Sequence, residues 1–208
     1  MKSKVVITIA RQFGSGGREI GEKLAEKLEI PFYDKSLIHL AAQESGIDED
    51  LFHFADEKSF HGFWAASASN AGIYGNRIPM FNELPMNDQL FLIQSKIIRK
   101  LAESDSCVIV GRCADYILRD DPHTIPVFIH SDEEDRLNRI IHIYGIAEKD
   151  ARDVMIKTDK RRAAYYNYYS GGKWGRADNY DLSVNSGSVG IDGAVDLIIK
   201  LVELKSAL

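Results

Sequence analysis

The 208-residue chain is 45% hydrophobic and 27% charged with a net charge of −5, the composition of a globular protein with one well-cored domain or a core domain carrying a small insert. The negative balance argues against a dedicated nucleic-acid binder, which carries a basic face, and no apolar run approaches the length of a membrane span. Cys107 and Cys113 match no zinc spacing, and Met1-Lys2-Ser3-Lys4 leads straight into an apolar run without the core of a signal peptide. A cytoplasmic protein with reduced thiols is therefore the expectation.

Taken in chain order, Val5, Val6, Ile7 and Ile9 form the apolar run of a buried parallel strand, and Gly14-Ser15-Gly16-Gly17 breaks it. Ile20, Leu24 and Leu28 then recur at helical spacing. A glycine loop between a strand and a helix N-terminus turns backbone N–H groups toward open space, backed by the positive end of the helix dipole, which is a way to hold a phosphate. Residues 30–33 read as a second strand, with Asp34 at its exit. Helical patterns follow over 35–45 and 48–58, and residues 59–87 lose clear periodicity, as an inserted subdomain or substrate-covering flap would. A helix over 88–103 leads to a third strand, Cys107 to Val110, which ends in Gly111-Arg112.

Residues 125–129 form the fourth strand. Ser131 and Glu134 have capping-box spacing at the start of a helix that carries Arg136 and Arg139, with Gly145 closing it. One more helix covers 147–169, dense first in Lys160, Arg161 and Arg162 and then in tyrosines; a fifth strand lies near 180–184, and a last helix spans 191–204. Strand and helix alternate throughout, so the expectation is an α/β fold with a parallel sheet wrapped by helices on both faces. Ligands of such sheets bind at the carboxyl ends of the strands. The glycine loop, Asp34, Gly111-Arg112 and His130-Ser131 all fall at strand exits.

The segments ITIARQFGSGGREIGEKLAEKL, IPFYDKSLI, VIVGR and VFIHSDEEDRLNRI resemble the cytidylate kinase group of nucleoside monophosphate kinases, in its divergent cytidylate-kinase-like branch. The resemblance runs from about Lys4 to the final helix and is weakest over 59–87. It implies a P-loop, three-layer α/β/α fold with a central parallel five-stranded sheet, in which 59–87 is an acceptor-binding insert and about 145–176 a lid. The implied reaction moves the γ-phosphoryl group of ATP, with Mg²⁺, to a nucleoside monophosphate such as CMP. The implied partner is a small nucleotide, with neither nucleic acid nor membrane, and a homo-oligomer stays open.

On this resemblance Gly14, Ser15, Gly16, Gly17, Arg18, Glu19 and Arg136 hold the donor, Asp34 and Arg112 the acceptor, and Arg18, Arg112, Arg161 and Arg162 the charge of the phosphoryl group in flight. The pattern G-x-x-x-x-G-K-[ST] is not met, however. With Gly16 as the second glycine, Arg11 stands at the first glycine, Gly17 at the lysine and Arg18 at the hydroxyl. Arg18 is either a substitute cation for the lysine or part of a solvated first turn. Val110 replaces the aspartate that precedes glycine-arginine in the family, leaving Asp34 or Asp115 as Mg²⁺ ligands, and Asp34 has a helix N-cap as its other reading. Arg139 is either a donor contact or a solvated cation, and the aromatics from Tyr165 to Trp174 either stack on a base or pack a lid or subunit contact. These departures keep a second function open: a catalytically impaired nucleotide- or phosphate-binding regulatory module of the same fold.

Overall fold

The structure, a computed structural model, describes residues 4–34 and 84–206; the two helical patterns expected over 35–58 and nearly all of the 59–87 insert lie outside the described residues. The chain divides into one compact unit of residues 1–34 and 101–208 and a second of residues 35–100. The first unit contains a five-stranded sheet of β1 (Val6–Arg11), β2 (Phe32–Tyr33), β3 (Cys107–Val110), β4 (Thr124–His130) and β5 (Leu182–Asn185). The strands are ordered β2-β3-β1-β4-β5, and every pair is parallel. Helices α1 (Gly17–Leu28), α2 (Met86–Ser104), α3 (Ala114–Ile117), α4 (Glu133–His142), α5 (Glu148–Ser170) and α6 (Ser186–Ser206) connect or follow them, α2 carrying the chain from the second unit into the first.

A strand buried on both faces cannot alternate polar and apolar residues. In β1, Val6, Ile7, Thr8 and Ile9 are at most 1% exposed, and they pair with β3 on one side and β4 on the other. Ile20, Leu24 and Ala25 of α1 and Ala194, Val195 and Ile198 of α6 pack into the same core. The strand runs on to Arg11, two residues past the apolar run, because backbone pairing continues there: Arg11 is in register with Ile129, and the Gln12 N–H still donates to the Ile129 carbonyl at 3.0 Å. The capping box is not formed. Asp132 is the N-cap of α4, while the Ser131 hydroxyl lies 3.3 Å from the Asp135 carboxylate and its N–H donates to Gln12 Oε1.

The glycine loop is held from beneath. Arg136, on α4, is 7% exposed; its Nε donates to the Phe13 carbonyl at 2.7 Å and its Nη2 pairs with Asp159 of α5. Asp159 Oδ1 in turn accepts the Phe13 N–H at 2.8 Å. Both polar groups of Phe13 are thus bound by two oppositely charged side chains that also bind each other. Gly14, at φ +82°, leaves no space for a side chain there, since a Cβ would stand 2.7 Å from the Arg136 carbonyl oxygen.

A second buried polar group ties α3 to α5. Asp115 is 8% exposed, accepts a hydrogen bond from Tyr166, and leaves Oδ2 without a partner among the described residues. Burial raises its pKa to about 6 against these stabilising bonds. Burial first and the Asp115 charge second push the hydroxyls of Tyr166 and Tyr180 above the ordinary tyrosine range. Asp115, Thr124, Pro126 and Tyr180 line a cavity of about 250 Å³, and no residue of the glycine loop contributes to it.

Two measurements follow from these buried charges. Arg136→Met leaves Asp159 and the Phe13 carbonyl without their partner, and urea unfolding should show a loss of about 3 kcal/mol, partly recovered in Arg136→Met/Asp159→Leu. Between the ordinary value of 3.8 and about 6 the folded state keeps an Asp115 proton that the unfolded chain releases. That contribution is full below 3.8 and is lost as pH rises through about 6. The stability of wild type relative to Asp115→Asn should therefore fall by roughly 1–3 kcal/mol between pH 4 and pH 7; a flat difference across that range would contradict the assignment.

Candidate active site

Strand β1 ends beneath a loop with few internal bonds of its own. The Ser15 N–H and hydroxyl both turn back to the Gln12 carbonyl, at 3.3 and 2.8 Å, and the Ser186 hydroxyl donates to the Ser15 carbonyl at 2.7 Å. Ser15 is wholly buried and shapes the loop from inside. Gly16 is the N-cap of α1 at φ +75°, a conformation glycine adopts without steric cost. The N–H groups of Gly14, Gly16, Gly17 and Arg18 have no hydrogen-bond partner among the described residues. Unpaired donors at the positive end of a 12-residue helix are chemically suited to a phosphate.

The ends of β2 and β3 lie beside this loop and bring charged groups to it. Asp34, which follows β2, has a side chain only 12% exposed, with Arg18 Nε at 3.1 Å and Arg11 Nη2 at 3.7 Å. Arg18 also pairs with Glu22 at 2.9 Å and remains 58% exposed. After β3 the backbone turns through three successive left-handed residues, Gly111 (φ +82°), Arg112 (+60°) and Cys113 (+55°). Non-glycine residues are held in that region only where the surroundings demand it, and here the Ala114 N–H closes the turn on the Gly111 carbonyl at 3.1 Å. Burial pushes the Cys113 thiol well above its usual range, so the neighbouring Arg112 does not make it a thiolate.

Helices α4 and α5 supply the remaining arginines. Arg162 Nη1 donates to the Arg11 carbonyl at 2.9 Å, and its guanidinium carbon stands 5.6 Å from the Phe13 ring centre. Arg161 lies one residue away, with Nη2 3.4 Å from Thr158 Oγ1. Arg139 pairs with Glu19 of the first turn of α1 at 2.5 Å, passing over Gly16. Arg136 is the loop support already described rather than a group open to solvent. Of the aromatics, Trp174 stands edge-on to Phe128 with centroids 5.4 Å apart, and Tyr166 is buried against Asp115. Gly14–Gly17, Arg18, Glu19, Asp34 and Arg112 thus surround the strand ends, with Arg161 and Arg162 on the adjoining helix.

The donor set does not match a protein-held Mg²⁺. Arg18 stands where the loop pattern has its hydroxyl, Asp34 lies between two guanidinium groups, and Asp115 belongs to the separate cavity. Among the described residues no cluster of three His, Cys, Asp or Glu side chains could hold a metal. Two residues that matter to this geometry escaped the sequence reading. Arg11 looked only like a lost glycine, and Asp159 carried no signal of its own; nothing in local spacing shows that either side chain reaches the loop.

Comparisons with known proteins bear on the family and the fold. The model of the cytidylate kinase-like family matches residues 6–188. A cytidylate kinase of the archaeon Archaeoglobus fulgidus is 25% identical over 214 aligned positions, spanning 96% of this chain and 95% of that protein. The crystal structure of an uncharacterized protein from Eubacterium ventriosum has a TM-score of 0.72 at 33% identity, over 96% of this chain and 99% of its own. A shikimate kinase of Bacteroides thetaiotaomicron, at 16% identity and a TM-score of 0.53 over 97% of this chain and 99% of its own, shares the fold. With a matching family model over most of its length and a five-stranded parallel sheet shared with kinases, the chain belongs to the cytidylate kinase-like family.

Proposed function

We propose that this protein is a nucleoside monophosphate kinase that transfers the γ-phosphoryl group of ATP to a small phosphorylated acceptor such as CMP. The observation that carries the reading is the row of unpaired loop N–H groups facing a strand edge that bears Asp34 and Arg112. In this reading the loop holds the donor phosphates and Arg112 the acceptor phosphate. An acceptor phosphate oxygen attacks the γ-phosphorus, the bond from that phosphorus to the β–γ bridging oxygen breaks, and ADP leaves. The added negative charge is balanced by Arg112, Arg161 and Arg162, with Arg18 at the mouth of the loop. Transfer of this kind is catalysed by positioning and electrostatics, so no nucleophilic side chain is needed. Mg²⁺ arrives on the nucleotide, and no role of a side chain here depends on it.

A second reading, a nucleotide-binding regulatory module without transfer, is favoured by one observation: Gly17, Arg18 and Val110 occupy the positions of the lysine, the hydroxyl and the aspartate. A coupled assay with ATP, Mg²⁺ and a panel of CMP, dCMP, UMP and other monophosphates separates the two. Turnover on at least one acceptor is expected; clear ATP binding by calorimetry with no turnover on any would leave only the module. In the active protein, Arg112→Ala should raise the acceptor KM roughly tenfold or more and leave that of ATP nearly unchanged, as loss of one charge-assisted contact on the acceptor side requires.

A further inference from the structure

Resting on the kinase reading, we infer that Arg11 is the cation this site presents to the γ-phosphate, having exchanged places with the glycine at position 17. The loop pattern has a glycine first and a lysine seventh; this chain has Arg11 first and Gly17 seventh. The two substitutions are spatially one. A Cβ on Gly17 would stand 2.6 Å from Arg11 Cβ and 3.0 Å from Arg11 Cγ, so the stem of Arg11 lies over the bare Cα from which a side chain at position 17 would depart. A side chain can start from one of these positions only if the other has none.

The far end of Arg11 is cleared in the same way. A Cβ on Gly111 would stand 2.1 Å from Arg11 Nη1, so the guanidinium rests against a second bare backbone, at the exit of β3. Asp34 Oδ1 lies 3.7 Å from Nη2. The backbone of Arg11 is fixed by pairing with β4 and by Arg162 on its carbonyl, and its side chain is 20% exposed against 58% for Arg18. Arg11 therefore leaves the donor loop and ends between the exits of β2 and β3, the acceptor side in the proposed reaction. Its planar fork can bind two phosphate oxygens through parallel N–H donors of fixed geometry, where a lysine acts as a point charge.

The test is the affinity ratio of ATP to ADP, by calorimetry on the full chain, since that ratio isolates the γ-phosphate. Arg11→Met keeps the apolar stem and removes the fork; it should lose roughly tenfold to a hundredfold of the wild-type preference for ATP. Arg152→Ala, which removes only an exposed ion pair with Glu133, should keep the preference within about twofold. Gly17→Ala retains Arg11 but displaces its stem, and should lose the preference as Arg11→Met does. Melting curves confirm folding, and Gly17→Ala carries the test if Arg11→Met does not fold. Preference retained in Arg11→Met or in Gly17→Ala, or lost equally in Arg152→Ala, overturns the assignment, as does a wild type that binds ATP and ADP equally. A wild type that binds neither nucleotide overturns the kinase reading itself.

Discussion

Everything proposed for this site depends on the backbone of one residue being held still on both sides. Phe13 donates its N–H to Asp159 and receives Arg136 Nε on its carbonyl, and the two charged side chains pair with each other. A glycine-rich loop loses much backbone entropy when it is ordered, and the glycines that follow Phe13 cannot supply that order themselves. The buried ion pair does so from below, and leaves the upper surface of the loop free to be lined by N–H groups. Desolvating the pair has its own cost, offset by the hydrogen bonds each partner makes to the loop. The pair is therefore a means of specifying one loop conformation more than a source of net stability.

The sheet was legible because burial on both faces writes itself into residue type: Val, Ile and Cys runs mark β1, β3 and β4 in the sequence as plainly as in the structure. Strand exits were legible for the same reason, since each apolar run ends at a glycine or a polar residue. The four-residue α3 is too short to show a period, and the Ser131 capping box failed because Ser131 is committed to Gln12 and Asp135 at the end of β4. What spacing could not carry was the path of long side chains. Arg136 reads as a surface donor contact by position and is buried beneath the loop; Asp159 is 146 residues from the Phe13 N–H it accepts. Such contacts follow from tertiary packing, to which local pattern is blind.

The exchange between positions 11 and 17 separates two properties that a motif combines: where the chain puts a charge, and where the side chain bearing it begins. A rigid strand end is a firmer base than the first turn of a helix, and a positive group rooted there arrives with its backbone already paired to β4. Substitution at a motif position is thus not by itself loss of the corresponding chemistry.

Helix α5 is strapped at several points along its length. Asp159 and Arg162 grip the glycine loop, Tyr166 is seated on Asp115, and Trp174, just beyond the helix, rests on Phe128. Moving the segment as a unit would break a buried ion pair and a buried carboxyl–phenol contact together. Arg162 is consequently stationed at the end of β1 without any ligand, so that in the proposed reaction its charge belongs to a preformed field and little free energy goes into rearranging that helix.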